Sequence, residues 1–147
     1  MDKSAANGKK ILLVEDDDNL ASVYSSRLGS EGYVVRRVSD GEYALTTALD
    51  FQPDLILLDL MMPALSGFDV LDILRNTPET ANIKIVILTA RGQEADRERA
   101  KKLGADDYLV KSQIVISDVI GIISKILGGA DNQTSAGAAE VQSPGKK

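Results

Sequence analysis

The sequence predicts an α/β protein: a parallel sheet of five strands with helices packed on both faces. Three observations predict it. Short apolar runs alternate along the chain with segments of helical periodicity, five of each. Three of those runs are continuously apolar rather than alternating, as strands covered on both faces should be. Strand–helix–strand crossovers are right-handed and leave the joined strands parallel, which places the connecting helices on the faces of the sheet.

The first strand is the run 11–14. Leu20, Val23, Tyr24 and Leu28 then recur at helical spacing and define one face of the first helix. The run 33–38 is the second strand. Ala44, Leu45, Ala48 and Leu49 follow as the second helix, with Ser39 or Asp40 as its cap. The third strand is the run 55–58, and Phe68, Leu71 and Leu74 form a helical face after Ser66-Gly67. The fourth strand is the run 83–88. Segment 93–103 is helical by propensity but strongly charged, and only Ala95, Ala100 and Leu103 offer it an apolar stripe. The fifth strand is 108–110. The last helix runs through Val119, Ile120, Ile123, Ile126 and Leu127 and is predicted to stop at Gly128-Gly129. Residues 1–8 and 128–147 are small and polar and are expected to be disordered, leaving one domain over 9–127.

Composition narrows the function. The chain has 147 residues, 44% hydrophobic and 27% charged, an ordinary balance for one domain with a single core. A net charge of −5 argues against direct nucleic-acid binding. There is no cysteine and no histidine, so disulfides, thiolate zinc sites, histidine catalysis and a phosphohistidine carried by this chain are all excluded. The start has no signal-peptide pattern, and no apolar run is long enough to span a membrane, so a cytoplasmic location without membrane contact is expected.

In a parallel α/β sheet, function gathers beyond the carboxyl ends of the strands. Glu15, Asp16 and Asp17 follow the first strand, Asp59 ends the third, Thr89 the fourth and Lys111 the fifth. Carboxylates drawn together repel unless something positive intervenes, and a hard divalent cation such as Mg²⁺ suits oxygen ligands. Asp59 is then a candidate nucleophile for phosphoryl transfer, with Thr89 and Lys111 placed to hold phosphoryl oxygens. Each residue also has an ordinary structural use. Asp16 or Asp17 alone is commonly a helix cap, a threonine ends many strands as a β-former, and a lysine there is usually solvated.

The motifs ILLVEDD at 11–17, DLILLDLMMPALSG at 54–67, IVILTA at 85–90 and GADDYLVK at 104–111 make the chain resemble the receiver domain of two-component response regulators, over about residues 9–127. The resemblance implies a doubly wound, flavodoxin-like (β/α)5 fold with strand order 2-1-3-4-5. It implies that Asp59 accepts a phosphoryl group, with Mg²⁺, or alternatively Mn²⁺, bound by Asp16, Glu15, Asp59 and the backbone carbonyl of Met61. Thr89 matches the switch hydroxyl, Lys111 the phosphate partner, Tyr108 the aromatic that turns inward on activation, and Ala90 the small residue that leaves room for the phosphoryl group; Asp17 ranks below the other two acids. The implied donors are a sensor histidine kinase or a histidine phosphotransfer protein, and the implied output is a downstream effector protein bound by a monomer or a phosphorylation-dependent homodimer. No output domain follows the receiver in this sequence, so a single-domain, chemotaxis-type regulator that is not a separate enzyme is expected.

One departure stands out. The family usually has proline after the lysine, in a cis bond, and here Ser112 follows Lys111. A cis bond before a non-proline costs roughly 2.5–4 kcal/mol, so the loop is either trans and differently routed or strained, and Ser112 and Ser117 compete as caps of the last helix. Two other functions fit worse. A haloacid-dehalogenase-type phosphatase wants a second acid two residues after the nucleophile, where this chain has Met61. A dinucleotide-binding turn wants glycines where this chain has EDDDN. A receiver-like module used only for binding remains as the third reading, against which Asp59, Thr89 and Lys111 all count.

Overall fold

The computed structural model describes residues 8–132. Five strands, β1 (Lys10–Val14), β2 (Val34–Val38), β3 (Leu55–Leu58), β4 (Lys84–Thr89) and β5 (Asp107–Val110), alternate with α1 (Asp18–Ser30), α2 (Ala44–Phe51), α3 (Gly67–Arg75), α4 (Glu94–Leu103) and α5 (Ile116–Asn132). All neighbouring strands are parallel and their order is β2-β1-β3-β4-β5. The fold and strand order are those expected from the sequence.

The period-2 geometry of each strand divides the core in two. Leu12, Val14, Ile56, Leu58, Ile85 and Ile87 face α2, α3 and α4, where Ala48, Leu71, Leu74 and Ala100 meet them. Ile11, Leu13, Leu55, Leu57, Val86 and Leu88 face α1 and α5 through Ala21, Tyr24, Leu28, Val119 and Ile123. That is why the central runs are apolar without alternation, while β2, at the edge of the sheet, carries Arg36 and Arg37 and is only half covered.

Several local expectations are corrected. In α1 the buried face is Ala21, Tyr24 and Leu28, and Val23 is exposed; the small Ala21 lets the helix lie close to the sheet. Asp40 does act as a cap, but of a 3-10 turn at Gly41–Tyr43 that precedes α2, and Ser39 does not. In α4 only Ala100 is buried; Ala95 is exposed, so the apolar stripe is thinner still than predicted. Gly128-Gly129 does not stop α5, which continues to Asn132. Glycine costs a helix about 1 kcal/mol relative to alanine but does not forbid it. The tail predicted from residue 128 therefore begins inside a helix, and its remainder, like residues 1–7, lies outside the described residues.

No cis peptide is present among the described residues, so the Lys111–Ser112 bond is trans. The loop turns through a 3-10 segment at Lys111–Gln113, and α5 starts only at Ile116. The Val115 carbonyl accepts the first helical bonds, from the amides of Asp118 and Val119. Neither serine caps α5: Ser112 belongs to the preceding turn, and Ser117 already sits in the first turn of the helix.

Candidate phosphoryl-acceptor and metal site

Parallel register brings the strand ends level. Val14 pairs with Leu58, Leu58 with Ile87, and Thr89 with Val110. The residues that follow therefore emerge side by side at one edge. Backbone bonds hold the first two: the Glu15 amide donates to the Val38 carbonyl at 3.1 Å and the Asp59 amide to the Val14 carbonyl at 3.0 Å.

Carboxylate oxygens of Glu15, Asp16 and Asp59 all lie within 4.8 Å of one another. Glu15 and Asp59 are buried, and Asp16 is exposed. Lys111 enters from β5, its Nζ 2.9 Å from Asp59 Oδ2 and 3.0 Å from Glu15 Oε1. Desolvation raises the Glu15 carboxyl above its ordinary range, and the bonds from the Asp17 amide and Lys111 only partly offset this. Desolvation also works against the Lys111 ammonium. The hydrogen bonds and charges of Asp59 and Glu15 outweigh it, and its pKa stands raised.

The remaining oxygens are aimed by backbone amides. Asp59 Oδ1 accepts from the Met61 amide at 3.1 Å, and Glu15 Oε2 from the Asp17 amide at 3.1 Å. The first of these bonds places the Met61 backbone directly beside Asp59. Gly67, at the start of α3, is what allows the loop after Asp59 to fold back. Its amide donates to the Leu60 carbonyl, and a Cβ there would collide with the Asp59 carbonyl oxygen and come within 2.5 Å of the Leu60 Cα.

The structure gives the lower-ranked acid, Asp17, a different task from the other two. Asp17 is the cap of α1: its Oδ1 accepts from the Leu20 amide at 3.0 Å, and it is not among the clustered carboxylates. Asp16 is in the cluster. Thr89 is fully buried at the end of β4, and its hydroxyl accepts from the Arg91 amide at 3.3 Å. Ala90 is exposed beside it. Tyr108 is 4% exposed and lies inward in this structure, its hydroxyl donating to the Arg91 carbonyl at 2.7 Å. Arg97 covers the Tyr108 ring, its guanidinium 4.9 Å from the centroid, and donates to the Tyr108 carbonyl.

Two neighbours of the site escaped the sequence. Arg91 is bonded through its backbone to both Thr89 and Tyr108, and its side chain pairs with Asp96 at 2.7 Å. Arg37, on β2, donates to the Glu15 carbonyl and to the Asp18 carboxylate. Their signal was weak. Two consecutive arginines in a strand say that one of them faces something polar, but not what.

Hard oxygen donors, two of them buried, on three clustered carboxyl groups against one lysine fit a divalent cation of the Mg²⁺ type. The sheet order, the buried aspartate at the end of β3 and the lysine at the end of β5 together define a doubly wound α/β domain of the receiver type. The family model for the response regulator receiver domain matches residues 11–120, and the chain belongs to that family. It is 50% identical over 102 residues to the transcriptional regulatory protein CpxR of Escherichia coli (strain K12), covering 69% of this chain and 42% of that protein. The chain thus spans less than half the length of this relative. The receiver domain of the Francisella response regulator 1452 matches with a TM-score of 0.76 and 30% identity, over 85% of this chain and all of that one (100%). The receiver domain of the sensor histidine kinase PA1611 from Pseudomonas aeruginosa PAO1, solved with a magnesium ion in its active-site cleft, matches with a TM-score of 0.74 and 33% identity, over 83% and 98% of the two chains. Among the described residues, no helix is long and apolar enough to cross a membrane.

Proposed function

We propose that this receiver accepts a phosphoryl group on Asp59 from a histidine kinase or histidine phosphotransfer protein and signals through a protein contact that depends on that phosphate. The observation that carries the reading is the convergence of Glu15, Asp16 and Asp59 within 4.8 Å, with Lys111 paired to both buried carboxylates. A carboxylate oxygen of Asp59 forms the new P–O bond as the P–N bond of the donor phosphohistidine breaks and its electron pair leaves with the imidazole. Glu15, Asp16, Asp59 and the Met61 carbonyl would hold Mg²⁺ or Mn²⁺, which neutralises charge on the acceptor and the incoming group when bound. Lys111 is the cation that this chain itself supplies at Asp59.

Thr89 and Tyr108 act as the switch in this reading. Both are bonded to the backbone of Arg91, one through its amide and the other through its carbonyl. A Thr89 hydroxyl that turned to donate to the phosphoryl group would give up the Arg91 amide and disturb the residue that holds Tyr108. Signalling in the cytoplasm through a partner protein, as a monomer or a phosphorylation-dependent dimer, is part of the proposal; a separate catalytic activity is not.

Incubation with Mg²⁺ and acetyl phosphate, read by intact mass, tests it. One added phosphoryl group is expected on the native chain and none on Asp59→Asn. Full labelling of Asp59→Asn would refute the assignment, and failure of the native chain to label would favour a receiver-like binding module.

A further inference from the structure

Asp16 is the exposed member of the clustered carboxylates, and no hydrogen bond among the described residues holds its side chain. Its position is therefore set by the backbone of the turn between β1 and α1. That turn carries four consecutive acids, Glu15 to Asp18, which repel one another. Only some of them are tied by their side chains: Asp17 to the amide of Leu20, and Glu15 to the Asp17 amide and, from the end of β5, to Lys111.

Arg37 adds a side-chain restraint from β2, the strand whose Val38 carbonyl already accepts from the Glu15 amide. Its Nε donates to the Glu15 backbone carbonyl at 2.9 Å, and its Nη2 donates to Asp18 Oδ1 at 2.9 Å. The two anchor points lie on either side of Asp16 and Asp17. A planar guanidinium fork fixes both at once, which a lysine ammonium at a single point does not. The two arms differ in weight. Asp18 is 87% exposed, so that ion pair is screened by water, whereas the bond to the Glu15 carbonyl is partly buried. Arg37 itself is anchored in β2 by its register with Leu13, two residues before Glu15.

We propose that Arg37 is a positioning residue for the metal site: it pins the acidic turn so that the Asp16 carboxylate is held where Glu15 and Asp59 converge. The inference rests on the reading of those three residues as metal ligands. It makes a prediction opposite in sign to simple electrostatics. Arg37 is a cation near a cation site, so by charge alone its removal would tighten metal binding. By positioning, its removal loosens the turn and weakens binding.

Isothermal titration of the metal-free chain with Mg²⁺ decides between them. Arg37→Ala is expected to raise the Mg²⁺ dissociation constant by about tenfold, the lower end of the range for residues that orient metal ligands. Arg37→Lys, which keeps the charge but can make only one of the two bonds, is expected to fall between Arg37→Ala and the native chain. Amide hydrogen exchange without metal is expected to quicken at residues 15–18 in Arg37→Ala while β3 and β4 stay protected, separating a local loss of order from general destabilisation. Unchanged or tighter Mg²⁺ binding by Arg37→Ala would overturn the inference while leaving the metal-site reading intact. Absence of saturable Mg²⁺ binding by the native chain would overturn both.

Discussion

Lys111 Nζ lies 2.9 Å from Asp59 Oδ2, and the same ammonium is shared with Glu15. Two buried carboxylates are thus balanced by one partly buried lysine. Replacing Lys111 by methionine leaves them facing each other without compensation, which for a fully buried pair costs about 3–5 kcal/mol. Lys111 keeps 24% of its side-chain exposure, so a loss of roughly 2 kcal/mol in the metal-free chain is expected for Lys111→Met. Mg²⁺ should restore much of that loss, because it binds the folded state and takes over the neutralisation. Urea unfolding with and without Mg²⁺ measures both effects; a Lys111→Met chain as stable as the native one without metal would show that the pairing contributes nothing.

Glu15 gives a pH-dependent test of the same cluster. Burial raises its carboxyl above the ordinary value of 4.5, so the folded chain holds the proton more tightly than the unfolded chain does. That contribution to stability is fully present below pH 4.5 and is lost as pH rises through the folded pKa. Above the folded pKa the ionised Glu15 is a net cost to the metal-free fold. Glu15→Gln, which mimics the protonated form, is expected to raise the midpoint of thermal unfolding at pH 7 without metal. The gain should shrink as pH falls toward 4.5. Mg²⁺ binding should weaken in the same variant, a stability–function exchange of the kind expected at a working site. Melting curves across pH 4–8 measure it, and a Glu15→Gln chain less stable at pH 7 would contradict the burial argument.

The sequence made the layers and the strand ends legible because both follow from patterns of period 2 and 3.6. The uninterrupted LILL of β3, set between helical patterns, read as a strand covered on both sides, with Asp59 emerging at its end. What remained hidden depended on single contacts across the sheet. Residue type alone did not separate Asp16 from Asp17, which only the resemblance ranked, since the difference is which of them meets the Leu20 amide. The fork of Arg37 depends on the β1–β2 register, which no local pattern encodes. The end of α5 was misplaced because a glycine pair weakens a helix without dictating where it stops.

Gly67 ties the fold to the position of Asp59. It is the close approach of its α-carbon to Asp59 and Leu60, not an unusual backbone angle, that excludes a side chain there. Gly67→Ala is expected to destabilise the chain by about 1–3 kcal/mol through overpacking against rigid backbone. Because the displaced atoms include the Asp59 carbonyl, phosphorylation by acetyl phosphate should also slow, even under conditions where the variant is fully folded. Gly121, where an added Cβ meets nothing within 4 Å, is the control, and Gly121→Ala should leave the rate unchanged. Equal rates for all three chains would separate Gly67 from the placement of Asp59.

The two ends of α4 are held very differently, and this sets where a phosphate-driven change should appear. At the carboxyl end, Arg75 is a clamp: its guanidinium, 17% exposed, donates to the carbonyls of Gly104, Ala81 and Ile83 and pairs with Asp106 at 2.9 Å. Asp106 in turn accepts from the Ile85 amide, tying the α4–β5 turn to the start of β4. At the amino end, α4 has no side-chain cap, and its ties run through Arg91–Asp96 and Arg97–Tyr108, next to Thr89. With Ala100 its only buried residue, the helix has little apolar contact to resist displacement of that end. Beryllofluoride with Mg²⁺ is therefore expected to change amide exchange more strongly over residues 91–99 than over 100–106. Arg75→Ala removes the clamp. It is expected to cost about 1–3 kcal/mol, since three part-buried carbonyls lose their donor and Asp106 its partner, and to spread the exchange response along the whole helix. A response already uniform over 91–106 in the native chain would mean that α4 moves as a rigid body and that Arg75 does not define a fixed end.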